Sequence, residues 1–489
     1  MSRRASITSL FTTTQVACVD LQKTTYPIRT GIGYLDHMMD QINSHAQIGV
    51  ALTVHHHIDF SSLSNQSATE GNADCPTLDL NRLAGVDQAS LLKHVGWTIG
   101  RQTMLLSKFL GIDDETVATS RFCCPLDEAL VECILTKPAT SNKKRKLDSS
   151  EGTEANVGAT ASKPEGRLVT YDLAPFGKYP KSKGRKKIGN LETAALVEFF
   201  TAFAKSTGLQ ISLRKIRGDN GHHIVESTFK AFSRAMRNLL DGTDTREVGQ
   251  NIDNKRPTQA SAPYQESMWG KESTNWKESI ALARVGTVER STKETNIKVQ
   301  LALDGGNDGI SISTGIKTLD EFFTTLAREA SMSLTIDCTG DLWVDDHHTA
   351  EDVSIAVGQC LTQALGTKAG LNRMWCARQP LASGGEEAVE VTMDLSNRPC
   401  LTHNLALEDV DEEMIGDLSV EMLDHVLDSL VVNGRMTVHV LFSPGGGSST
   451  LEDRAVATAA AFGKALKFCA MVDYRRKGIT ASSKGTLSA

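Results

Sequence analysis

The sequence contains no apolar run that approaches the roughly 18 residues needed to cross a bilayer, and its N-terminus shows no apolar signal-peptide core. We therefore expect no membrane association and a cytoplasmic protein. The 59 acidic and 52 basic residues leave a net charge of -7, so no global positive charge favours nucleic acid. The ten cysteines form no paired CxxC set, which favours free thiols in a reducing compartment.

Three polar stretches interrupt the apolar patterns. Residues 59–80 and 138–190 predict solvated loops, and residues 244–276 predict a linker. The longer loop carries basic clusters at 143–146 and 181–187. These clusters could be a nuclear address or an anion-binding patch, but a solvated loop is the favoured interpretation.

The stretches on either side of the linker resemble each other. TGIGYLDHMMDQINSH begins at Thr30 and TGIKTLDEFFTTLARE begins at Thr314. Both place Leu-Asp at the same offset after Thr-Gly-Ile and open a segment with helical apolar spacing. We therefore predict tandem copies: residues 1–243, called block one, and residues 277–489, called block two.

A finer repeat lies within the blocks. GDNGHHIVESTFKAFSRAMRNLLDG begins at Gly218, and GDLWVDDHHTAEDVSIAVGQCLTQALG begins at Gly340. Each reads as a strand or turn, then His-His-x-x-Glu, then an amphipathic helix. Alternating strand patterns lie between these motifs. The sequence therefore predicts an α+β fold made of repeated units with helices on one face of a sheet.

The His-His-x-x-Glu motif suits a metal site. At a helix start, His222 or His223 can face the same cation as Glu226, and adjacent imidazoles diverge toward two ions. Imidazole plus carboxylate suits Mn, Fe, Zn or Ni, and spacing does not choose among them. Exposed His pairs can also bind nothing, but two such motifs in one chain favour metal. His37 is a further candidate, although such a residue alone is more often a capping or core histidine.

Three motifs together resemble one family. Gly-Ile-x-x-Leu-Asp-His-Met, Asp-His-His-Thr-x-Glu-Asp and Gly-x-Asn-x-His-His-x-x-Glu-x-x-Phe-Lys-Ala are similar to those of imidazoleglycerol-phosphate dehydratase of histidine biosynthesis. The resemblance covers nearly the whole chain as two divergent copies. It implies a ribosomal protein S5 domain 2-like fold, duplicated within each copy, and elimination of water from imidazole glycerol phosphate to give imidazole acetol phosphate. It also implies two Mn²⁺ ions per site and a 24-subunit shell with sites between subunits.

Neither block retains the whole set of metal ligands that the resemblance implies. Ala89–Lys93 stands at the middle motif of block one, whereas Glu321 replaces His37 and residues 445–453 replace the third motif in block two. Because family sites lie between subunits, we expect a composite site for two metal ions that takes ligands from both blocks. Block one would supply His37, His222, His223 and Glu226, and block two would supply His347, His348, Glu351 and His425.

The resemblance also assigns the catalytic and substrate-binding groups. Glu294, in Arg-x-Thr-x-Glu-Thr, is the expected general acid/base, with Glu226 as second choice. The residues expected to bind the phosphorylated substrate are His45, Lys230, Arg373, Arg398, Ser483 and Lys484. For Lys230 a solvated surface role is an equal alternative.

The fused pair predicts self-assembly of 12 chains as a pseudo-24-mer. Two other functions stay open at this stage: a catalytically silent metal-binding assembly protein of the same fold, and, more weakly, a dimetal hydrolase on this scaffold.

Overall fold

A computed structural model describes the chain over these residues: 5–8, 12–17, 28–54, 87–109, 119–137, 168–241, 284–382, 386–445, 449–473, 476, 478–483 and 486–487. The predicted loop 59–80, the linker 244–276, the first basic cluster at 143–146 and Lys484 lie outside the described residues.

Each block contributes four helices to the described residues. Those of block one are α1 Gly33–Gln41, α2 Gln88–Phe109, α3 Leu196–Thr207 and α4 Gly221–Leu240. Those of block two are α5 Lys317–Ala330, α6 His347–Leu365, α7 Val420–Gly434 and α8 Leu451–Ala470. A π turn at Ile42–Ala46 and short 3₁₀ helices at Thr193–Ala195 and Leu407–Asp409 complete the helical segments.

The strands form a repeated arrangement. Those of block one are β1 Ala5–Thr8, β2 Thr12–Ala17, β3 Ile28–Arg29, β4 Gly49–Val54, β5 Thr119–Leu126, β6 Ala129–Thr136, β7 Val169–Asp172, β8 Lys187–Ile188, β9 Leu191–Glu192 and β10 Gln210–Arg217. Those of block two are β11 Val285–Ser291, β12 Thr295–Ala302, β13 Ile310–Ser313, β14 Ser333–Gly340, β15 Met374–Pro380, β16 Ala388–Asp394, β17 Cys400–His403, β18 Met414–Ile415, β19 Leu418–Ser419 and β20 Thr437–Ser443.

Four sheets of the described structure share one topology. Their orders are β1-β2-β4-β3, β5-β6-β10-β7, β11-β12-β14-β13 and β15-β16-β20-β17. In each sheet a hairpin pairs antiparallel with the last strand, whose other edge pairs parallel with the third strand. Each block is therefore a duplication of one sheet-plus-helices unit, which confirms the predicted α+β class.

The shared Thr-Gly-Ile-x-x-Leu-Asp motif starts a helix by the same device in both blocks. The carboxylate of Asp36 accepts hydrogen bonds from the backbone N–H of Thr30 at 2.7 Å and from its hydroxyl at 2.5 Å. Asp320 accepts the same pair from Thr314, at 2.9 and 2.7 Å. The repeated sequence motif therefore repeats one set of Asp–Thr hydrogen bonds at the start of a helix.

A pair of glycines fixes the alignment of α2 with α6. A Cβ on Gly100 would lie 3.1 Å from the carbonyl oxygen of Phe203 in α3, and one on Gly358 would lie 2.9 Å from that of Leu430 in α7. Both helix pairs therefore approach closely at equivalent points. When Gly100 is aligned with Gly358, His347 and His348 of α6 align with Ala89 and Ser90 of α2, as the sequence comparison predicts.

Apolar helix faces pack on the sheets as two main cores, one for each block, and the core of block one also takes in Met374 of block two. Arg121 of β5 joins the blocks, because its guanidinium binds Glu390 of β16 at 2.8 and 3.0 Å. The described cysteines are free thiols, as expected. None of the described helices is both long and apolar enough to cross a membrane.

The prediction of a solvated loop over 138–190 is wrong for its C-terminal part. Val169–Asp172 forms β7, whose residues pair in parallel with Ile211–Arg214 of β10. Val169 and Tyr171 alternate with the polar, exposed Thr170 and Asp172 in this short strand, but the polar sequence around it hides the pattern.

Candidate active site

Three of the predicted ligands of block one converge. The entrance of α1 supplies His37 and the first turns of α4 supply His222 and Glu226. One ligand atom from each lies within 4.8 Å of the others. Nε2 of His222 is 3.2 Å, and Nε2 of His37 is 3.5 Å, from Oε2 of Glu226. Together with His223 we call this set half-site one.

Glu226 is the charged centre of half-site one. Its other oxygen, Oε1, lies 2.9 Å from Nζ of Lys230, which is itself buried. Burial by itself raises the pKa of Glu226. Hydrogen bonds with His222 and His37 and the charge of Lys230 outweigh burial and hold that pKa below its ordinary value. Glu226 is therefore an ionised carboxylate, as a metal ligand must be.

His223 is oriented by a carboxylate from the β5–β6 turn. Its Nδ1 lies 2.7 Å from Oε2 of Glu128. An ionised carboxylate only accepts, so Nδ1 carries the proton and Nε2 keeps its lone pair. The same hydrogen bond raises the pKa of His223. A carboxylate that holds one ring nitrogen while the other faces a cation is the usual arrangement of a metal-binding histidine.

The predicted ligands of block two form a second group, half-site two. His347, His348 and Glu351 lie in the first turns of α6, and His425 lies in α7. The rings of His347 and His425 have centroids 5.1 Å apart, and His347 Nε2 is 3.8 Å from Glu351 Oε2. Nδ1 of His348 is 3.1 Å from Oδ2 of Asp341, which repeats the histidine–carboxylate pairing of half-site one.

Glu294 lies beside half-site two. Its Oε1 is 4.0 Å from Nε2 of His348, and half of its side chain is exposed. The β11–β12 turn that carries it is held by Thr292, whose hydroxyl accepts from the backbone N–H of Glu294 and Thr295. The hydroxyl of Thr295 in turn donates to Asp352 of α6 at 2.7 Å. Glu294 is therefore fixed at the backbone and free at its carboxylate.

The two half-sites are separate within one chain. In the part of the chain that the structure describes, no hydrogen bond, ion pair or ring contact joins a member of half-site one to a member of half-site two.

A buried group of polar side chains, which we call the His45 cluster, lies beside half-site one and draws on both blocks. His45, in the π turn after α1, is fully buried, and neither ring nitrogen has a hydrogen-bond partner among the described residues. Burial lowers the pKa of His45 well below its ordinary value, and nearby cations lower it further, so the ring is neutral. These cations are Lys230, Arg234, Arg373 and Arg476.

The C-terminal segment of block two contacts the segment that carries His45. Nε2 of Gln41, one helical turn before His45, donates to the Ser483 hydroxyl at 3.1 Å. Arg476 donates to the backbone oxygen of Ser44 at 3.1 Å. The structure therefore brings four of the six predicted substrate-binding residues into or beside the His45 cluster, namely His45, Lys230, Arg373 and Ser483. Arg398 instead contacts Asp127.

Both predicted arginines have protein partners. Nε and Nη2 of Arg373 donate to the buried Asp394 at 2.6 and 2.8 Å, and Nη1 donates to the backbone oxygen of Ala481. Arg373 also has a φ of 75°, a strained value for a residue with a side chain. Nε of Arg398 lies 2.9 Å from Oδ1 of Asp127, next to the Glu128 that holds His223. Substrate binding by either arginine stays a prediction.

Several residues of the site were not predicted. Tyr34, whose pKa burial raises, keeps its proton and donates to the backbone oxygen of His222 at 2.9 Å. Glu128 and Asp341, the two carboxylates that orient histidines, were also missed. Asp341 precedes the His-His pair by a few residues, and Glu128 lies in the Pro-Leu-Asp-Glu-Ala-Leu segment found only in block one, so both left a sequence signal.

Known proteins resemble this chain in both blocks. A profile described as imidazoleglycerol-phosphate dehydratase matches residues 169–236 and 314–466. The chloroplastic imidazoleglycerol-phosphate dehydratase of Pisum sativum is 40% identical over 205 residues, 42% of this chain and 69% of that protein. The enzyme of that name from Synechococcus is 38% identical over 206 residues, 42% of this chain and 97% of the relative. A crystal structure of the Pyrococcus furiosus protein covers 41% of this chain and 99% of that chain, with 25% identity and a TM-score of 0.33.

One nearly complete relative therefore corresponds to less than half of this chain, and the profile matches one segment in each block. The chain belongs to the imidazoleglycerol-phosphate dehydratase family of hydro-lyases, as a fused pair of divergent copies.

Proposed function

We propose that the chain eliminates water from imidazole glycerol phosphate to give imidazole acetol phosphate, at a composite site in which half-site one of one chain meets half-site two of another. The observation that supports this most strongly is the separation of two well-formed half-sites. Each has its own histidine–carboxylate pairing, yet no described contact joins them within the chain. An association of chains is the remaining way to bring all eight predicted ligands to one substrate.

The residues fit a pair of Mn²⁺ ions. The donor set of imidazole nitrogens and carboxylate oxygens suits such a cation, because Glu226 is ionised and a carboxylate orients each of His223 and His348. His37, His222, His223, Glu226, His347, His348, Glu351 and His425 would hold the ions. When bound, Mn²⁺ would act as a Lewis acid toward the imidazole of the substrate.

The remaining groups bind the substrate and move protons. The positive surroundings of His45 suit a phosphate dianion, which could accept hydrogen bonds from Gln41, Lys230 and Ser483. Loss of water requires a proton to leave carbon and another to reach the departing hydroxyl. The free carboxylate of Glu294 at the edge of half-site two is the best-placed group for these transfers.

In this arrangement the proposed phosphate-binding groups and half-site one come from the same chain, because Gln41 and Ser483 are already in contact. Half-site two and Glu294 come from the neighbour. Twelve chains of 52.9 kDa in a closed shell would weigh about 635 kDa. A cytoplasmic location stays a prediction that cell fractionation would test.

Mixing two inactive variants tests the composite site. His222→Ala destroys half-site one, and His348→Ala destroys half-site two, so each variant alone should lose turnover of imidazole glycerol phosphate. If halves pair between chains, a dissociated and reassembled equal mixture should recover about one quarter of wild-type turnover, because that share of sites receives two intact halves.

No recovery from a mixture that reassembles to full mass would show that the site does not combine halves of different chains. Normal metal content without any turnover by the wild-type chain would favour the silent assembly protein. Release of inorganic phosphate from the substrate would instead favour a hydrolase.

A further inference from the structure

Two equivalent loops precede the small hairpins of the two blocks. In block one the loop joins β7 to the β8–β9 hairpin, and in block two it joins β17 to the β18–β19 hairpin. The first hairpin pairs Ile188 with Leu191. The second pairs Ile415 with Leu418 in the same manner, so the hairpins align the residues that precede them.

The two loops carry opposite charges. The basic loop exposes Lys178, Lys181, Lys183, Arg185, Lys186 and Lys187. The acidic loop exposes Glu408, Asp409, Asp411, Glu412 and Glu413. Counted back from the hairpins, the positions of Lys181, Arg185 and Lys186 in block one are those of Glu408, Glu412 and Glu413 in block two.

Most of these charges have no partner within the described part of the chain. Lys178 pairs with Asp219 at 3.3 Å, and Lys187 pairs with Glu192 at 3.3 Å, on exposed surfaces. The side chains between them and the five acidic side chains form no ion pair with any described residue. Like charges that are held close together on one loop repel each other. The electrostatic energy of such a loop falls when a surface of the other sign faces it.

Each loop borders the half-site that its own block retains. In the basic loop, Gly177 bridges to Asn220, the N-cap of the helix that carries His222. In the acidic loop, the backbone oxygen of Glu413 accepts from Val420 at the start of α7. The preceding Ser419 donates to Asp346, the N-cap of the helix that carries His347.

We propose that the basic loop of one chain docks on the acidic loop of a second copy of this chain, and that this contact selects pairing of unlike blocks. The inference rests on the composite site, which is incomplete without the second copy. Pairing of like blocks at this contact would oppose equal charges, whereas pairing of unlike blocks opposes complementary ones. The loops would thus direct the chains into the one arrangement that completes the site.

Charge reversal in the full chain tests this. One variant carries Lys181→Glu, Arg185→Glu and Lys186→Glu, a second carries Glu408→Lys, Glu412→Lys and Glu413→Lys, and a third carries all six. Particle mass is followed by light scattering against protein concentration at low and high salt. Each variant with three substitutions should raise the protein concentration at half-assembly about tenfold or more at low salt. In the variant with all six substitutions this concentration should lie within about threefold of the wild-type value. High salt should reduce the differences in this concentration among all the variants.

A chain with Lys205→Glu and Lys467→Glu, which reverses exposed charges on helices away from both loops, serves as the control and should assemble normally. Normal assembly by both variants with three substitutions would overturn the inference. So would a variant with all six substitutions that assembles no better than either of them. Loss of binding to a heparin column with unchanged particle mass would show that the basic loop serves an anionic partner instead. Because particle mass is measured apart from turnover, failure here leaves the proposed reaction separately testable.

Discussion

At the start of α2 in block one, Ala89, Ser90 and Lys93 occupy the positions that His347, His348 and Glu351 hold in α6. The reverse replacement occurs at the start of α8, where the capped helix presents Glu452 and Asp453 at the positions of His222 and His223. Each block has thus lost one half-site and kept the other, and the loss follows groups that are neighbours in space although distant in sequence.

The supporting carboxylates follow the same division. Glu128 accompanies His223 in block one, and Asp341 accompanies His348 in block two. Each orienting carboxylate is therefore found in the block that contains the predicted ligand it orients. If a half-site is the functional unit of each block, as proposed, matched substitutions in the two blocks should have predictable and different effects.

The largest effect is expected at a matched pair on α1 and α5. His37→Ala removes a ligand of half-site one and should lower turnover about a thousand-fold. Glu321→Ala changes the equivalent, exposed position of block two and should leave turnover within about twofold of wild type. Steady-state turnover of imidazole glycerol phosphate measures both. Equal losses would show that block two has an active counterpart of half-site one.

Replacement of the proposed acid/base comes next. Glu294→Gln keeps the shape of the side chain but removes its ability to exchange a proton, so kcat should fall about 10²–10⁴-fold with bound metal unchanged. Glu289→Gln changes an exposed carboxylate in the same hairpin, which pairs only with Lys298 among the described residues, and is the control. Loss of metal together with activity in Glu294→Gln would assign this residue a ligand role instead.

The orienting carboxylates should have matching, intermediate effects. Glu128→Gln and Asp341→Asn should each weaken metal binding about 10–100-fold, since each replaces the carboxylate that orients a predicted ligand histidine with an uncharged amide. Titration with Mn²⁺ measures this, with Glu192→Gln as the control. An effect in one block alone would show that the two pairings are not equivalent.

These pairings also give the metal affinity a pH dependence. The hydrogen bonds to Glu128 and Asp341 raise the pKa of His223 and His348 above the ordinary 6.5. These two histidines therefore keep a proton at pH values where an ordinary histidine has already lost it and can bind metal. As the pH falls, the affinity for metal should begin to decline while the pH is still above 6.5. The Gln and Asn variants should show this decline at lower pH. A decline at the same pH in all variants would contradict the assignment.

The smallest effect is expected at the shared helix entrance. Thr30→Val and Thr314→Val each remove a hydroxyl that donates to a carboxylate, and each should lower the free energy of unfolding by about 1–2 kcal/mol without changing the site. Denaturant unfolding of the metal-free chain measures this. Unequal costs would show that the common motif stabilises one block more than the other.

The sequence predicts the local features of this molecule well. The helix entrances and the repeat of blocks follow from Thr30 and Asp36 and their counterparts in block two, since this geometry is set within a few residues. The placement of His222 beside Glu226 follows in the same way from their spacing of one helical turn. The features that it did not predict depend on distant contacts. Strand β7 needs β10 as a partner, and the lowered pKa of His45 depends on burial first and then on cations from three other segments.

The contact between Gln41 and Ser483 spans 442 positions of the chain. During synthesis, block one therefore leaves the ribosome long before the segment that carries Ser483 is made. The phosphate binding proposed above would draw on both ends of the fused chain, with Gln41 and Lys230 from its front half and Ser483 from the last stretch of its rear half. A chain cut short before Ser483 would therefore lack one of the three proposed donors although its front half is whole.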